Sequence, residues 1–144
     1  MSERRQPEVF EQAVRVEPAD IDTLGHVNNV VYLRWVQAVA AAHWRALAPA
    51  EEQAALVWVV TRHEIDYKHP AGPGDEVVAR TWVGEAEGLR FERHTEVVRR
   101  ADGKLLARAR TVWCPIDART GRPRRVSPEV RGLFSTAGGD EPPA

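Results

Sequence analysis

This chain is short of cysteine, of lysine and of long apolar runs, and each shortage removes a class of protein. A single cysteine, Cys114, in 144 residues cannot close a disulfide within the chain, and its place in an alternating stretch reads as a small buried hydrophobe rather than a nucleophile. The longest unbroken apolar run, Ala54 to Val60, falls far short of the roughly 20 residues that cross a bilayer as a helix. The opening MSERRQPEVF has no apolar stretch of the kind that directs secretion, so a cytoplasmic location is expected. A formal net charge of -1 gives no electrostatic drive toward nucleic acid or an anionic membrane, and neither is expected as a partner. His26, His43, His63, His69 and His94 are scattered without the paired spacing of a zinc site, and there is no glycine-rich phosphate loop or dinucleotide fingerprint. No metal and no cofactor are therefore expected.

What is present is an ordinary globular composition, 43% hydrophobic and 28% charged. A chain of this length forms one domain that buries about 68–70% of its unfolded surface. We place that domain at residues 1–134 and expect the Gly-, Asp- and Pro-rich residues 135–144 to form a disordered tail. Residues 9–17 alternate, with Phe10, Val14 and Val16 on one side, as a half-buried strand does, and Pro18 ends the run. From Val27 to Leu47 there is neither Pro nor Gly, and Leu33, Val36, Ala40, Trp44 and Leu47 recur at helical steps. A second apolar row of Trp35, Val39, Ala42 and Ala46 predicts a helix wrapped by sheet.

After Pro49 and an acidic pair, Leu56 to Tyr67 is rich in β-branched and aromatic residues and reads as a central strand. The loop 69–75 is a turn by its Pro and Gly content. Three strands joined as hairpins follow, turning at Glu87-Gly88 and at Asp102-Gly103. Arg90 is grouped there with Glu92, His94 and Glu96 on the polar face, opposite Leu89, Phe91, Thr95 and Val97, and Arg90, Arg93, Arg99 and Arg100 line one hairpin, most of them read as solvated strand edges. A short helix at 127–134 closes the chain. Strand, long helix and then an antiparallel meander is an α+β layout: a five-stranded antiparallel sheet wrapped around one long helix.

The chemistry is concentrated in residues 20–33, DIDTLGHVNNVVYL. Two acids lead to Gly25, and His26, Asn28 and Asn29 open the long helix. The first turn of a helix carries unpaired N–H groups and a partial positive charge, so it can hold a developing oxyanion. An ionised carboxylate facing it can serve as base or nucleophile, a pairing suited to acyl transfer to water. The same residue types also serve as turn and capping residues, because their side chains accept from free backbone N–H groups.

Asp22, Gly25, His26, Val27, Asn28, Asn29 and Tyr32 together resemble the signature of the hotdog-fold acyl thioesterases of the 4-hydroxybenzoyl-CoA thioesterase type, and also the related acyl-ACP thioesterase pattern. The resemblance runs in segment order over residues 8–134, including the Gly74-Asp75 strand start and the final Ser127-Pro128-Glu129 helix. It implies the hotdog fold and hydrolysis of an acyl-CoA or acyl-ACP thioester. Asp22, four residues before the motif histidine, would attack the thioester carbonyl or deprotonate the attacking water. The backbone N–H near Asn29 would hold the thioester oxygen, and His26 would orient water or the acid or donate to the carbonyl, its other reading being a capping histidine bonded to backbone. Asn28 and Tyr32 would line the substrate site, Asn28 also as a helix cap. Asp20 is read as a loop acid.

The resemblance further implies active sites built between two subunits, in a homodimer or a dimer of dimers. Two departures bear on it. No acid stands at Gln37, Ala38 or Val39, where a subset of the family carries its carboxylate, so Asp22 must supply it. Leu24 stands where acyl-ACP thioesterases typically carry Asn, which favours the CoA carrier. A hotdog dehydratase, whose motif does not match HVNN, and a non-hydrolytic acyl-thioester-binding module are the competing functions.

Overall fold

A computed structural model describes residues 9–134; the expected tail at 135–144 lies outside the described residues. Strand β1 (Phe10–Arg15) leads through a 3₁₀ turn at Pro18–Asp20 to helix α1 (Asn29–Leu47) and a short helix α2 (Ala50–Ala55). Strands β2 (Leu56–Tyr67), β3 (Glu76–Glu87), β4 (Arg90–Arg99) and β5 (Leu105–Asp117) follow, and α3 (Pro128–Phe134) closes the chain. The strands form one sheet in the order β1-β3-β4-β5-β2, every pairing antiparallel. Helix α1 packs against β1, β3 and β4, the expected α+β hotdog arrangement.

The long helix buries a face slightly different from the predicted one. Val31, Tyr32, Trp35, Val36, Val39, Ala40 and His43 are buried, whereas Leu33, Trp44 and Leu47 of the expected stripe are only partly so. The difference comes from two polar-tipped side chains, Tyr32 and His43, that enter the core because each finds a hydrogen-bond partner there. The core falls into two clusters along α1. One gathers Val27, Tyr32 and Trp35 with Ala71, Val77, Val97 and Leu106, and the other gathers Leu56, Val83 and Phe91 with Val126, Val130 and Phe134.

Four further expectations are corrected. Strand β2 is at the edge of the sheet and not central: β5 is its one neighbour among the described residues, and Val57 and Val59 are 49% and 43% exposed. The acidic pair after Pro49 does not lead straight into β2 but sits in the first turn of α2, where carboxylates complement the helix dipole. Arg93 is not solvated: it is 7% exposed and lies in alternation with Phe91, Thr95 and Val97 on the inward face of β4. Leu89, placed on that face by the alternation, instead sits in the exposed turn before β4.

Candidate active site

The start of α1 is fixed by bonds from three directions. Asn28 caps the helix, its Oδ1 accepting from the Val30 N–H at 3.1 Å, and its own N–H donates to the Asp20 carbonyl at 2.8 Å. From the loop after β2, the Ala71 carbonyl accepts from the Val27 N–H at 2.8 Å, and the Ala71 N–H donates to the buried Tyr32 hydroxyl at 3.1 Å. The Tyr67 hydroxyl, at the end of β2, donates to the Asn29 carbonyl at 3.0 Å. Tyr32 packs edge-on to both Tyr67 and Trp35, and burial raises its hydroxyl pKa.

Asp20 is not a simple loop acid. It is 4% exposed, accepts from Arg34 at 2.7 Å and from the Glu17 N–H at 2.8 Å, and closes a reciprocal cap on the 3₁₀ turn. Burial alone would raise its pKa, but the hydrogen bonds from Arg34 and Glu17 outweigh that and hold it below the usual value. Asp20 therefore ties the loop to α1 as a buried, paired anion.

Asp22 heads the tight loop that follows. Its N–H donates to the His26 carbonyl at 2.8 Å, its carbonyl accepts from Gly25 at 3.0 Å, and Ile21 bridges to Val27. Gly25 turns the chain at φ +80°, where a side chain would be strained. The Oδ1 of Asp22 accepts from the Leu24 N–H at 2.9 Å and the His26 N–H at 3.2 Å. Its Oδ2 has no bonding partner among the described residues. One oxygen shapes the turn, which satisfies the turn-residue reading of this aspartate, and the other is left without a hydrogen bond among the described residues.

These residues share a cleft of about 440 Å³ lined by Asp22, His26, Asn28, Asn29 and Tyr32 together with residues of the loop after β2. All five site residues named from the sequence are thus brought to one cleft. The Asn29 N–H opens the helix, and no described group accepts from it. The His26 imidazole is likewise without a hydrogen bond among the described residues and is exposed at the rim. Sequence reasoning missed Tyr67, Lys68 and His69 on the facing wall. Lys68 is one of only two lysines in the chain, and its position directly before the Pro- and Gly-rich loop is the signal that could have placed it. Among the described residues no group of His, Cys, Asp and Glu is arranged to hold a metal ion.

The model of the thioesterase-like superfamily matches residues 16–134, from the end of β1 through α3. The chain belongs to that superfamily. A solved thioesterase of Thermus thermophilus, complexed with coenzyme A and zinc, superposes with a TM-score of 0.76 at 26% identity, covering 87% of this chain and 90% of that one. A 1,4-dihydroxy-2-naphthoyl-CoA thioesterase of Synechocystis shares the fold with a TM-score of 0.73 at 21% identity, over 87% and 93% of the two chains. A chloroplastic acyl-[acyl-carrier-protein] hydrolase of Cuphea viscosissima is 32% identical over 76 residues, 53% of this chain and 18% of that protein. A dodecanoyl-[acyl-carrier-protein] hydrolase of Cinnamomum camphora is 35% identical over 83 residues, 57% of this chain and 22% of that protein. The chain thus spans about a fifth of the length of these curated relatives.

Proposed function

We propose that this chain hydrolyses an acyl-CoA thioester to the free acid and CoA, with Asp22 as the catalytic carboxylate. The observation that carries the proposal is the coexistence, in one cleft, of a carboxylate oxygen without a partner and an N–H at a helix start without an acceptor. In the general-base route Asp22 Oδ2 takes a proton from water, the water oxygen adds to the carbonyl carbon, and the oxyanion rests on the Asn29 N–H. Collapse then breaks the C–S bond, and the sulfur leaves with the proton as a thiol. In the nucleophilic route Oδ2 itself attacks the carbonyl carbon, the C–S bond breaks as the thiolate leaves and takes a proton from solvent, and water then hydrolyses the mixed anhydride to the free acid and the Asp22 carboxylate. His26 orients the water or donates to the carbonyl. Tyr32 forms the floor of the cleft, and Asn28 acts through the helix cap. Removing an oxyanion donor of this kind typically lowers the rate by about 10² to 10³.

A second reading, an acyl-ACP carrier, is favoured by the curated relatives, which are carrier-protein hydrolases. Leu24 weighs against it. In either case two copies or a dimer of dimers would complete the site, consistent with the exposed edge of β2.

The experiment is release of free thiol from decanoyl-CoA, benzoyl-CoA and decanoyl-ACP, for the native chain and for Asp22→Asn. Asp22→Asn should lower kcat by at least about 10² while KM changes little. Full activity in that variant would remove Asp22 from the mechanism, and addition of water to an enoyl-CoA without thiol release would identify a hydratase instead.

A further inference from the structure

A second cavity, of about 590 Å³, lies under the C-terminal half of α1 and shares no lining residue with the Asp22 cleft. Its wall is a connected set of aromatic rings. Trp44 meets Trp58 edge-on at 5.3 Å, Trp58 meets Phe91 at 4.9 Å, and Trp44 stacks on Phe134 at 5.5 Å between centroids. Trp113 completes the wall from β5. Such rings favour another planar ring packed edge-on or offset against them.

One polar group of the lining is charged and almost fully buried. The Arg93 Nη1 donates to His43 Nδ1 at 2.9 Å and to Thr81 Oγ1 at 3.2 Å. Its Nε and Nη2 have no hydrogen bond, and the side chain has no ion pair, among the described residues. His43 cannot balance the charge: burial, and secondarily the Arg93 charge, push its pKa down to about 3, so the ring is neutral and accepts from the guanidinium. Burial lowers the Arg93 pKa to about 10, which still leaves it protonated at neutral pH. A buried cation without an anion is unfavourable, and the Nε–Nη2 edge of a guanidinium matches the two oxygens of a carboxylate.

We propose that this cavity binds an aromatic carboxylate, its ring among Trp44, Trp58, Phe91, Trp113 and Phe134 and its carboxylate on the free edge of Arg93. The site is separate from the Asp22 cleft and does not depend on the hydrolytic reading. Its ligand nevertheless belongs to the class of molecule, an acid with an apolar body, that thioester hydrolysis releases.

The test is calorimetric titration of the full chain, in the Asp22→Asn background, with 4-biphenylcarboxylate and with 4-biphenylcarboxamide, which has the same shape and no charge. The carboxylate should bind at least tenfold more tightly than the amide, and Arg93→Gln should bring the two affinities together. Ala41→Trp, which fills the cavity from the exposed side of α1 and leaves the Arg93 network intact, should abolish binding of both and keeps the test decisive if Arg93→Gln does not fold. Equal affinity for acid and amide, no heat at millimolar ligand, or undiminished binding to Ala41→Trp would each overturn the proposal.

Discussion

Asp20 and Asp22 have the same side chain and opposite fates because of what lies within reach. Asp20 meets the guanidinium of Arg34, fourteen positions along the chain, and is consumed by structure. Asp22 meets only the backbone of its own turn and keeps an oxygen free. The turn made by Asp22 was legible locally, because its bonds are to residues two and four positions away, but its choice over Asp20 as the candidate carboxylate rested on the resemblance of residues 22–32 to the thioesterase motif. The local pattern could not show the pairing of Asp20, which depends on how α1 returns past the loop. His43 and Arg93 are a stronger case of the same limit: fifty positions apart in sequence, each looks like a surface residue until β4 is laid against the helix.

That buried pair has a measurable pH signature. The unfolded chain protonates His43 near its ordinary pKa of 6.5, whereas the folded chain does so only near 3. Between those values the unfolded state binds the extra proton, so the contribution of His43 to stability is complete above pH 6.5 and is lost as the pH falls toward 3. His43→Gln, which can still accept from Arg93, should flatten the acid side of a Tm-versus-pH profile between pH 6.5 and 4. An unchanged slope in that variant would mean that His43 is protonated in the folded protein.

At the scale of elements, the periodicity of α1, the two hairpin turns and the β2 segment were all legible, because alternation and Gly-containing turns are local signals. The rank of β2 within the sheet was not: a strand's composition reports burial, and β2 obtains some of its burial from α1 and β5 while its outer edge stays open. The clasp on the helix start was equally hidden, since Tyr67 at the end of β2 and Ala71 in the loop after it reach it from some forty positions later. Its strength can be tested one bond at a time. Tyr67→Phe should destabilise the fold by about 0.5–1.5 kcal/mol, the usual net worth of a hydrogen bond, measured by urea denaturation. In the thioesterase reading it should also lower kcat more than it raises KM, because the hydroxyl holds the peptide unit next to the proposed oxyanion donor. A loss of stability with unchanged kcat would separate the clasp from the chemistry.

For the molecule as a whole, the strand order leaves the β2 edge to be paired or protected. The expected result of multi-angle light scattering is a mass of two or four times the 16.1 kDa chain, stable to dilution. A strictly monomeric chain that still releases thiol would show that one subunit carries a complete site.

The two cavities flank one helix: the loop 22–28 and the first turn of α1 furnish one, and the stretch from Gln37 to Arg45 furnishes helix-borne walls of the other. The intervening residues Trp35 and Val36 are buried, so substitutions at one end are expected to leave the other end's side chains in place. Laboratory evolution could therefore retune what the far chamber admits without disarming the chemistry at the helix tip, and combined variants from the two ends should behave as simple sums of their separate effects.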